Sequence, residues 1–414
     1  MSITGSESTL PYTGPDVPDR RRLSRDHILL LASDFILRFI GIACFTIFIA
    51  GVYTVTGKTS SIGFISLATV GPSFLVLLFA GTYTRFLSPL GTIRWFLGAR
   101  ALVFLVAIPL ADDPVVLFIA AALQSLVHQA SVSAKMVLDA EYLNDANRVS
   151  FNAKKTLFKN MAVITAPAVG GVCVSYLRVG PSLAVMATLS VLVVVLISLV
   201  RKQASAQGEV RKIDSVSALS SLRHLKGIPE IAAIVAVYCM VSVILEVQAP
   251  LMFPFVREVY SLGSEYVGLL LGLCGFGGIL GAFLAQRFPR RFTEATLGLL
   301  IVVDGTIFFI FTQIHQMVVA AVACTLLGVV GAVALIVVEG AVQRSVVAQH
   351  QPFTFSLMQF SGGAGGATIG VALAFLAELY SAKSVLGSSA VAEIIMGAVA
   401  AAIWHRSKRS AKNA

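Results

Sequence analysis

The sequence predicts an all-α integral membrane fold of twelve transmembrane helices in two pseudo-symmetric six-helix bundles. Three observations predict it. Of 414 residues, 57% are hydrophobic and only 13% charged, against about 25% charged in an ordinary soluble domain, so most side chains must have lipid as their solvent. Apolar runs long enough to cross a bilayer recur twelve times. One long polar interval, Arg201–Glu230, interrupts them. It reads RKQASAQGEVRKIDSVSALSSLRHLKGIPE, and it divides the apolar chain into halves of nearly equal length, each with room for six spans.

A span needs about 20 apolar residues. The first half supplies 29–55, 62–83, 93–110, 115–138, 157–176 and 183–200. The second supplies 231–255, 266–285, 295–311, 317–341, 353–377 and 387–404. Breaker sequences such as GKTS, ADDP, VGPS and SLGS separate them. The expected organisation is a polar tail over 1–27, a bundle over 28–200, a linker over 201–229, a second bundle over 230–405 and a tail over 406–414. The first tail, with Pro11, Pro15, Pro18 and a run of arginines, is expected to be disordered and cytoplasmic. No short apolar segment with a small-residue cleavage site makes it a secretory signal.

Orientation follows from the basic residues. With the N-terminus inside, 24 of the 31 lysines and arginines fall on the cytoplasmic side. Lys58, Arg178, Arg257 and Lys383 fall outside, and Arg38, Arg100 and Lys135 lie within spans. The expectation is a multi-pass protein of the plasma (inner) membrane with both termini cytoplasmic. The net charge of +10 does not indicate nucleic-acid binding, because the basic residues flank apolar runs instead of forming one stripe. Cys44, Cys173, Cys239, Cys274 and Cys324 are dispersed within apolar runs, and the six histidines form no HxxxH or HExxH pair, so neither a metal nor another cofactor is expected. No GxxxxGK[ST] loop marks ATP binding.

The halves echo each other. At an offset of 205, Gly63 meets Gly268 and Arg85 meets Arg290; at about 200, Pro167 and Gly170 meet Ala367 and Gly370. Parallel repeats of a two-lobed transporter produce such echoes. Three stretches then carry a family resemblance: AGTYTRFLSPLGTIR after span 2, with Gly81, Arg85 and Arg94; ITAPAVGG in span 5, with Pro167, Gly170 and Gly171; and EYLNDANRVSFNA before span 5, with Ala146 and Asn147. On these the chain resembles the major facilitator superfamily, and within it the branch of enterobactin exporters and macrolide-efflux proteins. Thr84 stands where that family has an aspartate, and Ala166 replaces a glycine of the span 5 element. The resemblance implies that spans 1, 4, 7 and 10 line a central cavity, that the loop after span 2 gates it, and that transport is outward. Independently of family, Pro167 removes a backbone hydrogen bond and kinks its helix, while Gly170 and Gly171 admit a close helix neighbour. Ordinary close packing is the alternative reading, as it is for Gly277 with Gly281 and Gly366 with Gly370.

Charges at mid-bilayer cost on the order of 2.5–3.5 kcal/mol each, so they should face water or one another. Asp34 and Arg38 lie one helical turn apart on span 1 and can pair; alternatively Arg38 holds an anionic group of the cargo while Asp34 titrates. Gln124, His128, Ser131 and Lys135 form one stripe on span 4, with Lys135 close enough to the cytoplasm to snorkel. Glu246 on span 7 has no basic residue within a turn and precedes Gln248; it is the leading candidate for carrying a proton. Asp34 is the next candidate, and Glu339 on span 10 reads equally as a coupling site or a rim salt bridge. Asp304 and Arg100, on spans the resemblance makes peripheral, read as structural.

These readings make the chain a monomeric secondary transporter and not an enzyme. It exports a small drug-, macrolide- or siderophore-like molecule in exchange for protons, with Glu246, Asp34 and Glu339 as proton-coupling candidates and Arg38, Gln124, His128 and Gln248 as cargo ligands. Proton-coupled uptake on the same fold is the main alternative, and a lipid scramblase or sensor a more distant one. A metal–diphosphate enzyme would need a second acidic cluster facing Asp139, Glu141 and Asp145, and the sequence has none.

Overall fold

The computed structural model describes residues 25–83, 89–142, 145–200, 218–287, 296–347 and 361–413, together with 350, 354, 357 and 358. Six long helices precede a short polar one: α1 (Arg25–Thr56), α2 (Ser60–Tyr83), α3 (Pro89–Ala107, prolonged by a 3₁₀ turn to Leu110), α4 (Pro114–Tyr142), α5 (Asp145–Leu177) and α6 (Val179–Ser198). The polar helix is α7 (Ala218–Lys226). After it come α8 (Pro229–Tyr260), α9 (Ser264–Arg287), α10 (Leu297–Gln313) and α11 (Met317–Ser345). A π-helical turn (Ser361–Gly365) leads into α12 (Gly366–Leu379), and α13 (Ala382–Asn413) ends the chain.

Besides the two-residue turn between α7 and α8, six described connections are only one to three residues long, those joining α1–α2, α3–α4, α5–α6, α8–α9, α10–α11 and α12–α13, and they share one face, called here the short-loop face. Contacts tie them together: Tyr260 donates its hydroxyl to the Ile314 carbonyl (3.2 Å), Glu258 accepts the Ala382 N–H (3.1 Å), and the Arg257 guanidinium lies 5.4 Å over the Tyr53 ring. Three of the six reversals use left-handed backbone, at Gly57, Arg178 and Ser261. Gly57 (φ +65°) ends α1 with its N–H on the Tyr53 carbonyl at 2.9 Å, and Arg178 (φ 66°) alone turns α5 into α6. The other face, which carries both ends of the described chain, is the terminal face.

In the first bundle α1 packs on α4, α5 and α6, with α3 against α4 and α6; in the second, α9 packs on α11 and α10 on α13. Glycines set the closest approach. A Cβ at Gly277 or Gly281 would strike the backbone of Thr325 or Val329 on α11, and one at Gly328 would strike the Cys274 backbone on α9. Large apolar side chains cover the outside, Leu102, Phe283, Val318 and Ile395 among them. With buried cores inside and long apolar helices throughout, the chain is a multi-pass integral membrane protein.

Two stretches differ from the sequence reading. Span 5 starts earlier than expected: the described part of the segment before it closes α4 and forms the first turns of α5, which begins at Asp145. Phe151 explains this, being fully buried with its ring 5.8 Å from that of His27. Within the polar interval, α7 buries Leu225 among Ile231, Ile234, Val338, Val342 and Met358 of the second bundle, so its apolar face is a docking face.

Candidate functional site between the bundles

The bundles meet along two seams. Along one, α2 lies on α12: a Cβ at Gly63 would come within 2.7 Å of the Val371 Cα, Phe64 and Phe375 stack edge to face at 5.7 Å, and the Ser60 N–H donates to Glu378 Oε2 at 2.8 Å. Along the other, α5 lies on α9. The Pro167 carbonyl occupies the space a side chain at Gly268 would need, and Gly171 abuts Ser264 and Glu265. There the Ser175 hydroxyl is 2.9 Å from that of Ser264 and donates to Glu265. Gly170 faces inward instead, against Ala43 and Thr46 of α1. Hydrogen bonds close both seams at the short-loop face. The clasps that close them are related by the internal repeat, since offsets of 204 and 203 carry Ser60 onto Ser264 and Ser175 onto Glu378. A cleft of about 1060 Å³ indents that face, lined by Tyr53, Arg178, Arg257 and Glu265 among others.

Among the described residues, helices α4 and α11 pack substantially only within their own bundles, and the line between the bundles on the terminal side is called here the parting. Lys159 of α5 and Glu339 of α11 face each other across the parting, close enough for the lysine charge to act on the carboxylate, yet they form no ion pair. Glu246 lies where α8 crosses span 11. Its side chain is exposed but rests on Gly362 and Gly366, where any Cβ at position 366 would overlap its own. No hydrogen bond or ion pair holds its carboxylate among the described residues.

The first bundle has a charge network. Arg38 Nε donates to Asp34 Oδ2 at 2.8 Å, Lys155 lies 3.9 Å from Asp34 and 2.5 Å from Asp139, and Lys135 pairs with Asp139. Lys135 is 1% exposed, so it does not snorkel; its Asp139 partner holds it inside. Asp34 carries two cations, and Arg38 is occupied by Asp34. Three cations share two carboxylates here.

Deeper in that bundle lies Arg100, wholly buried. Its Nε donates to Ser190 Oγ at 3.1 Å and its Nη1 reaches His128 Nδ1 at 3.4 Å; its Nη2 has no partner. The His128 ring, half-buried, fills the space beside Gly41. Gln124 bonds to Cys44, which also senses the Arg100 charge; the Gln124 Oε1 is unpartnered. In the second bundle Gln248 donates to Glu393 Oε2 at 3.4 Å, and Glu393 is hydrogen-bonded to Asp304. A hydrogen bond between two carboxyl groups requires a proton on one of them. All three are buried, and Asp304 Oδ1 and Glu393 Oε1 have no partner. These clusters also correspond: an offset of 204 carries Cys44 onto Gln248 and Arg100 onto Asp304, and 203 carries Ser190 onto Glu393.

Of the sequence-predicted residues, Glu246 and Glu339 border the parting. Asp34 and Arg38 are joined at its first-bundle side, and Gln124, His128 and Gln248 turn into the bundles. Gly81 is in α2 with its surroundings undescribed, and Arg85 lies outside the described residues. Sequence reasoning missed Lys155, Asp139 as an ion-pair partner, and Glu393.

Residues 35–369 match the family model described as Major Facilitator Superfamily. Among curated proteins no relative matches. Similar solved structures include the nucleoside transporter NupG (13% identity, TM-score 0.72, 92% of this chain and 99% of that one). A bacterial homologue of the human lysosomal transporter Spinster, inward-facing and unoccupied, is similar at 13% identity and TM-score 0.73, over 94% and 98%. The POT family transporter PepTSo is similar at 11% identity and TM-score 0.71, over 94% and 99%. At these identities the likeness is one of fold.

Proposed function

Because the chain belongs to the Major Facilitator Superfamily, we propose that it is a secondary transporter exporting a small organic molecule by alternating access, driven by protons moving inward. The terminal face is cytoplasmic in this reading, which the distribution of 24 of 31 basic residues supports, and the membrane is the plasma (inner) membrane. A monomer suffices, with residues 28–200 and 230–405 rocking as two units about the seams. The drug-, macrolide- or siderophore-like cargo class follows the efflux branch that the span 5 element resembles.

One observation supports the reading: the bundles are clasped on the short-loop face, with Pro167 and Gly171 in the closed seam, while among the described residues α4 and α11 pack substantially only within their own bundles. Cargo therefore enters from the terminal side, and release requires both clasps to open. Glu246 is the proton carrier of this cycle. Its carboxylate has no fixed partner at the border of the parting, so it is free to gain and lose a proton as access alternates. Glu339, facing Lys159, is the second candidate, and Asp34, held by two cations, the third.

Everted vesicles test this. With wild-type protein, an imposed proton gradient drives uptake of a fluorescent amphiphilic dye, and the dye in turn dissipates the gradient. Glu246→Gln is expected to retain dye exchange while losing at least tenfold of the gradient-driven component. Unchanged coupling in that variant removes Glu246 from the mechanism, and gradient-driven movement in the opposite direction replaces export by uptake.

A further inference from the structure

The cleft of about 1060 Å³ on the short-loop face is walled by both bundles. The first supplies Tyr53, Asp112 and Arg178, and the second supplies Arg257, Ser261 and Glu265. Among the described residues two other than glycine have positive φ, Arg178 (66°) and Ser261 (56°). Both line this cleft, one from each bundle. Arg178 combines its φ with a ψ of 176°, a region that only glycine occupies without strain. At the turn that an offset of 204 relates to Ser261, the first bundle has Gly57. Glycine would relax the backbone at both cleft positions, yet both carry polar side chains. Backbone strain of this kind collects at ligand clamps and switches.

The geometry points to a binding site in this cleft for an organic dianion, an aromatic body bearing two carboxylates, held by Arg178 of the first bundle and Arg257 of the second. Both arginines are exposed, and neither side chain has an ion-pair or hydrogen-bond partner among the described residues. Arg257 lies over the Tyr53 ring at 5.4 Å, a contact with its flat face that leaves its N–H edge for a carboxylate. Of the two acids in the cleft, Glu265 already accepts the Ser175 hydroxyl, so Asp112 alone opposes two guanidinium groups. Tyr53, Tyr176 and Leu262 offer apolar surface between them, and the volume suits an organic molecule better than an inorganic ion. Because the two arginines belong to different bundles, a ligand that holds both keeps the clasps shut. It arrests alternating access from the short-loop side without being cargo. This rests on the closed seam, and not on the direction of transport or on Glu246.

Naphthalene-2,6-dicarboxylate is the probe, titrated into purified full-length protein in detergent at constant ionic strength. Wild type is expected to show a saturable rise in unfolding temperature of several degrees. The monocarboxylate 2-naphthoate is expected to bind at least tenfold more weakly, and the uncharged dicarboxamide not at all. Arg178→Gly relaxes the backbone, so it is expected to unfold at or above the wild-type temperature without ligand and still to weaken the dicarboxylate at least tenfold. Arg257→Gln is expected to weaken it as much. No rise in wild type, equal binding of the mono- and dicarboxylates, or an undiminished rise in Arg178→Gly overturns the site. The lock is read at the other seam, outside the cleft. Maleimide labelling of Ser60→Cys, above the wild-type background, is expected to slow at least threefold with saturating probe, and an unchanged or faster rate overturns the locking role.

Discussion

The two bundles place buried polar clusters at equivalent positions and fill them with opposite chemistry. In the first, Arg100 stands among neutral partners, Ser190, His128 and the Cys44–Gln124 pair. In the second, Asp304 and Glu393 share a hydrogen bond, with Gln248 donating to Glu393. The difference lies in what can change. A guanidinium keeps its charge at every physiological pH, so the first site is a fixed cation. The acid pair holds a proton it can lose, so the second site has two charge states. The repeat has conserved the location of polar groups against the lipid-facing shell while assigning permanence to one bundle and titration to the other.

The contrast can be broken most severely at Glu393. Glu393→Ala leaves Asp304 and Gln248 facing a void in the second core and is expected to cost about 2–4 kcal/mol, read as a large fall in unfolding temperature. Glu393→Gln keeps the shape and the hydrogen bond to Asp304, so its cost at neutral pH is expected to stay below about 1.5 kcal/mol. It sharpens the contrast instead. The variant's amide N–H takes the place of the shared proton as donor to Asp304, and an unfolding temperature as low as that of Glu393→Ala would show that shape and hydrogen bonding at this position do not carry the stability.

On the fixed side, Ser190→Ala removes one neutral partner of Arg100, and a loss of about 1 kcal/mol is expected, read as a fall in unfolding temperature. The smallest effects belong to the exposed clasps. Glu378→Gln and Glu265→Gln each weaken one hydrogen bond at the short-loop face. Each is expected to shift the access equilibrium severalfold at most, seen as faster labelling of a cysteine placed in the 1060 Å³ cleft. Labelling slower than wild type would contradict their clasping role.

Spans and their order were legible because the cost of exposing backbone to lipid allows little besides uninterrupted helix. The Asp34–Arg38 pair was legible from its one-turn spacing, and it forms at 2.8 Å. Lys155 was hidden because the helix carrying it was expected to start at Leu157. Once α5 begins at Asp145, Lys155 projects beside Asp34 and Asp139. Glu393 was missed although the signal that singled out Glu246, an acid in an apolar run with no base within a turn, applies to it equally. Extending the internal offset from glycines to Arg100 and Ser190 would have led to Asp304 and Glu393. The inward turn of Gln124 and Gln248 had no sequence signature, since helix rotation about its own axis is set by neighbours.

The docked α7 fixes where the chain can be divided. Leu225 belongs to the core of the second bundle, so the mechanical frontier between the halves lies upstream of Ala218 and not at Pro229. A cut before Ala218 keeps Leu225 with its second-bundle neighbours. A cut after Gly227 strands Leu225 on the wrong fragment and leaves an empty socket beside Val338 and Val342.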